Sequence, residues 1–132
     1  MTKSVIRVEH PYDGKGLFNS NNEDGVRLIN IHSHHDNIIN RHTLENGFPS
    51  YHSDKYLQDI ISYSDLKNYN FAFKDLAQLE TALTKDELKE FIEVLGFRVL
   101  MLDVIGCIES PFQIIFKKEL IQESKDISFM FL

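Results

Sequence analysis

Arg7 and Glu9, in the opening stretch V-I-R-V-E-H-P-Y-D-G-K-G-L-F, are the first side chains whose types and spacing could do chemistry. Two apart on a strand, they project from the same face. The chain then breaks at His10-Pro11 and turns through Asp13-Gly14. A charged pair leading into a glycine-flanked turn suggests a ligand groove, without naming the ligand. Glu9 and Asp13 flank the break, and Glu109 precedes Pro111 in a late turn. Two carboxylates in a cleft could share acid–base work if burial separated their pKa values. Nucleophilic chemistry has less to stand on. The chain carries no G-x-S-x-G elbow, and Cys107 sits in V-I-G-C-I, an apolar setting that raises a thiol pKa and suits a small packed hydrophobe. G-K-G at 14–16 is too short for a phosphate-binding loop.

Histidines gather after the second apolar run, in H-S-H-H-D, with His32, His34, His35 and Asp36. The H-x-H-x-D part resembles the metal-binding turn of the metallo-β-lactamase fold. Asn37 stands where that family usually has another histidine, and no histidine follows His52. What remains is at most a mononuclear site from His32, His34 and one of His42 or His52. A solvated polar loop is the favoured reading, and no metal is expected.

The elements that must position these groups follow from periodicity. Residues 3–10 read as a strand with Ile6 and Val8 on one face and Val5, Arg7 and Glu9 on the other. A polar turn at 19–25 precedes a strand candidate at 26–31, and 32–52 reads as a histidine-rich loop. Residues 53–63 place Tyr56, Ile60 and Tyr63 at helical spacing, with Leu57 and Ile61 beside them. A short aromatic strand at 70–74 leads into a helix capped by Asp75 with Gln78 three residues on, its buried stripe being Leu76, Leu79 and Leu83. Thr84 with Glu87 signs a second helix that buries Leu88, Phe91, Ile92 and Leu95 and ends at Gly96. Residues 97–105 are apolar on nearly both faces, as a central strand should be, and 112–118 is the next strand. The apolar ending at 127–132 predicts a last strand.

At 132 residues, with 42% hydrophobic content, ten Phe, five Tyr and no Trp, the chain fits one domain with a Phe-rich core. Its expected class is α+β: one domain over 1–132, a mixed, mostly antiparallel sheet of about five or six strands with two or three helices. The net charge of −6 argues against a broad nucleic-acid face and is compatible with a basic protein partner. No run approaches the ~20 apolar residues of a membrane span. With one cysteine and no signal-peptide pattern, a cytoplasmic location is expected.

Arg7 on a first strand, F-A-F at 71–73 running into a capped helix, and Gln113 in a late F-Q-I-I-F strand together resemble small toxin-like ADP-ribosyltransferases in order. The resemblance implies that Arg7, beside Glu9 and His10, holds NAD, and that Phe71 or Phe73 walls the nicotinamide pocket. Gln113 would occupy the catalytic position, with Glu109 as the carboxylate of a rearranged site. Gln113 lacks the negative charge that would stabilise an oxocarbenium-like transition state. Pro111 stands two before it, and Lys74-Asp75 stands where a Ser-Thr-Ser type of motif is expected.

The segments 7–16, 71–83, 96–99 and 113–116 also resemble small phage and bacterial proteins that open with an R-V-E-H-P-like strand. That resemblance implies a phage-encoded protein acting on a host or antiphage-defence protein. The leading expectation is a non-catalytic binder of anti-defence or anti-CRISPR-like type, without cofactor and without contact to nucleic acid or membrane; a homodimer stays open. The alternative is an NAD-using transferase-like enzyme, active or degenerate.

Overall fold

The computed structural model describes residues 2–9, 54–111 and 113–132. His10, the strand expected at 26–31 and the histidine-rich 32–52 lie outside them, as do Phe112 and the side chain of Leu95.

Among the described residues, six antiparallel strands form two three-stranded sheets. In the first, β1 (Lys3–Glu9) and β6 (Ile121–Asp126) flank β3 (Arg98–Val104). In the second, β2 (Asn70–Ala72) and β4 (Ile108–Glu109) flank β5 (Ile114–Phe116). The strand expected to be central at 97–105 is central in the first sheet, and the strand expected at 112–118 is central in the second. β1 pairs with β3 from Lys3↔Val104 to Glu9↔Arg98. One antiparallel bridge, Ile6↔Phe73, ties β1 to the end of β2. Its two hydrogen bonds run from Ile6 N–H to the Phe73 carbonyl (2.9 Å) and from Phe73 N–H to the Ile6 carbonyl (2.7 Å). The chain of β2 thus leaves one sheet and joins the other, a corner of the kind that strands make when they switch sheets.

Alternation sorts the side chains into layers. Ile6, Val8 and Val99 point to one side of the first sheet, where they meet Leu79, Leu83, Leu88, Phe91 and Phe97 from the helical region. Val5, Leu100, Leu102 and Val104 point to the other side and pack on Ala72, Ile114 and Phe116 of the second sheet. Behind that sheet, Ile115 meets Leu57 and Ile61. β5 is buried on both faces, which is why F-Q-I-I-F shows no polar alternation.

Helix α1 (Lys55–Ile60) starts at Asp54, whose carboxylate accepts from Leu57 N–H. Its buried residue is Leu57, while Tyr56 and Ile60 face out. Helix α2 (Leu76–Ala82) is capped by Asp75, which accepts from Gln78 N–H at 2.8 Å. The Gln78 carbonyl reaches one residue further back than in a capping box, accepting from Lys74 N–H at 2.6 Å. Helix α3 (Lys85–Leu95) has the full capping box between Thr84 and Glu87. It ends at Gly96, whose φ of 73° lies in the left-handed region that glycine occupies without strain.

The expected terminal strand at 127–132 is corrected. The last strand is β6, and a 3-10 turn, Ser128–Phe131, follows it. Asp126 accepts from Ser128 N–H (2.9 Å), and the Ser128 hydroxyl takes the Val99 N–H (2.8 Å) in place of a strand carbonyl. That ends the ladder and turns Phe131 into the helix-side core.

Candidate functional site

The three groups singled out from the sequence occupy different environments. Arg7 lies on the inter-sheet face of β1 and is only 5% exposed. Its Nε donates to Glu9 (3.0 Å) and its Nη1 to the Phe71 carbonyl (2.6 Å). Glu9, opposite Arg98 in register, also receives Arg98 Nη2 at 3.4 Å, so one carboxylate bridges two guanidinium groups. Burial pulls the Arg7 pKa down while Glu9 pulls it up. A guanidinium held this way fastens β1 to β2. His10, expected beside it, is outside the described residues.

The two phenylalanines do not wall one pocket. Phe71 offers Arg7 its carbonyl, and its ring packs in the outer core near α1. The Phe73 ring lies in the helix-side core of the first sheet. Successive odd residues of F-A-F should share a face, but the corner at Ala72–Phe73 moves the second ring to a different layer.

Gln113 is fully buried and turned toward Asp54: its Nε2 donates to Asp54 Oδ2 at 2.9 Å. The Ser110 hydroxyl donates to the same oxygen at 2.6 Å. Gln113 and Ser110 also close the β4–β5 turn, through Ser110 N–H to the Gln113 carbonyl (2.9 Å) and Gln113 N–H to the Ser110 hydroxyl (3.2 Å). The amide is therefore a strut between the turn and the N-terminus of α1, not a group presented to a ribose. Asp54, central to this cluster, was missed in the sequence. An Asp just before a helical apolar pattern is a cap signal, and it was the only one available.

Glu109 is an exposed carboxylate gripped by Lys3 (2.7 Å) and, at longer range, by Lys74 (3.5 Å). The Lys3 hydrogen bond holds its carboxyl below the usual carboxylate range and raises the Lys3 pKa in return. A carboxylate so held favours its ionised form. Lys74 also donates to the Pro111 carbonyl at 3.0 Å. Lys74, Glu109 and Pro111, with Tyr56 and Ser110, line a shallow depression of about 550 Å³. At its edge Tyr56 is 49% exposed, and Ile60 and Tyr63 (64%) are exposed on and just after α1. Tyr56 and Ile60, four apart, share one side of α1, and Tyr63 lies beyond the extended Ile61 that ends the helix.

Among the described residues no helix is long and apolar enough to cross a membrane. Fold and surface together define a small α+β protein with an open, charged depression lined on one side by the exposed Tyr56. Its sequence places it further: residues 1–130 match the family described as Bacteriophage T4 Y00F protein, and the chain belongs to that family. No curated protein and no solved structure matches it. Neither the family match nor the residue geometry lends support to the ADP-ribosyltransferase resemblance.

Proposed function

We propose that this phage-family protein works by binding a host or antiphage-defence protein in the host cytoplasm, with the Tyr56–Tyr63 side as its contact face. The observation that carries this reading is the exposed Tyr56 lining the Lys74–Glu109 depression, with Ile60 and Tyr63 also exposed on and just after α1. Exposed aromatic anchors beside charged groups are the usual composition of a binding centre and its rim. The net charge of −6 favours a partner with a basic surface. Binding is favoured over NAD turnover because Gln113, Arg7 and Glu109 are engaged in contacts within the protein.

The test is co-purification from host cells with wild type and with a Tyr56→Ser/Tyr63→Ser variant, thermal melts serving as the folding control. A stoichiometric partner should be held by wild type. Its affinity for the variant should fall at least about thirty-fold, the loss of roughly 2 kcal/mol typical of an interface anchor. Substoichiometric action that leaves a mass increment on a host protein, or a dose-dependent rise in melting temperature with NAD, would overturn the reading in favour of the transferase.

A further inference from the structure

Among the described residues β6 is an edge of the first sheet, and none of them pairs as a strand with its outer side. The phase of its backbone groups can be read from its pairing with β3. Ile127 N–H donates to the Val99 carbonyl, continuing the register Leu100↔Asp126, Met101↔Lys125, Leu102↔Ser124 and Asp103↔Glu123. Narrow hydrogen-bonded pairs alternate with wide ones, so Lys125 and Glu123 direct their backbone groups toward β3. Ser124 and Asp126 direct theirs outward. Before Glu123 the register shifts at Asp103/Val104, which confines the regular edge to Glu123–Asp126.

The side chains of this short edge are unsettled within one copy. Glu123 stands opposite Asp103 on β3, a like-charge pairing that a ladder disfavours. Neither Glu123 nor Lys125 makes an ion pair among the described residues, although they share a face. Charges on an edge strand ordinarily prevent pairing. Here they prevent it in every neighbouring register but one. A two-fold axis through Ser124 sets Ser124 against Ser124 as a narrow pair, and Glu123 against Lys125 of the other copy as wide pairs, where side chains lie closest. Moving the axis by one residue sets Glu123 against Glu123 or Lys125 against Lys125. The turn that follows β6 leaves Phe129 (66% exposed) and Met130 uncovered at the end of the same edge, available to a second copy.

We propose that the protein forms a homodimer through antiparallel pairing of β6 with β6 about Ser124, joining the two three-stranded sheets into one of six strands. This is independent of the Tyr56 face, and Tyr56→Ser should leave it unchanged.

Sedimentation velocity over a concentration series is the test, with far-UV circular dichroism to establish that each variant is folded. Wild type should show a monomer–dimer equilibrium. Glu123→Lys and Lys125→Glu should each weaken it at least tenfold, since each sets like charges face to face. Mixed in equal amounts, the two variants should form a heterodimer, because every cross-pair is then of opposite sign. Ser124→Cys should cross-link to itself under oxidising conditions, the Cα separation of a narrow pair being within disulfide range. Wild type, which retains Cys107, should not. A wild type that stays monomeric throughout, or single variants that dimerise as well as wild type, would overturn the proposal.

Discussion

Asp54 is fully buried, and the partners that meet its carboxylate are neutral donors: Leu57 N–H, the Ser110 hydroxyl and the Gln113 amide. A buried charge is tolerable only when such donors surround it. Gln113→Glu, the substitution that would restore a transferase-like carboxylate, therefore replaces a donor with a second acceptor beside Asp54. It should destabilise the fold by about 3 kcal/mol or more in denaturant titration, and it should not raise NAD affinity. Glu109 behaves differently because it is exposed. Its lowered pKa stabilises the folded state above the ordinary carboxylate range, and that contribution is lost as pH falls through it. The small melting-temperature advantage of wild type over Glu109→Gln should accordingly be present at neutral pH and vanish in acid. From the sequence, alternation correctly set Arg7 and Glu9 on one face of β1. What alternation could not reveal is that this face looks into the second sheet. For Gln113, a place in a motif said nothing about the direction of the amide, which depends on an Asp 59 residues away.

Caps and periodicities made the helices legible at the level of elements. Thr84 and Glu87 form the box their spacing promised, at 3.2 and 2.8 Å. Thr84→Ala should cost about 1 kcal/mol by chemical denaturation, the usual worth of such a cap. The short α1 was legible as a helix, but its orientation was not. Leu57 and Ile61 compete with Tyr56, Ile60 and Tyr63 for the core, and packing behind β5 favours the smaller aliphatic pair. β6 offered no signal, since I-Q-E-S-K-D has no apolar alternation and an edge strand needs none. The apolar tail beyond it looked more strand-like, but Ser128 and Asp126 end the ladder by supplying side-chain partners to backbone groups.

For the whole molecule, the α+β class was legible in composition and pattern; the division into two sheets was not. F-A-F reads as one continuous strand, yet Phe73 hydrogen-bonds to a different sheet from its two predecessors. Layering follows from that division: helices, first sheet, second sheet, then α1. The corner also has a consequence for how the protein opens. Each three-stranded sheet has its own ladder, and among the described residues the Ile6–Phe73 bridge is the backbone pairing between them. The Ile6 and Phe73 amides are thus natural reporters of cooperativity in native-state hydrogen exchange. If the inter-sheet core locks both ladders into one unit, these two amides should exchange as slowly as those in the middle of β3. If they exchange faster while β3 and β5 remain protected, the sheets part at this corner before either one unravels.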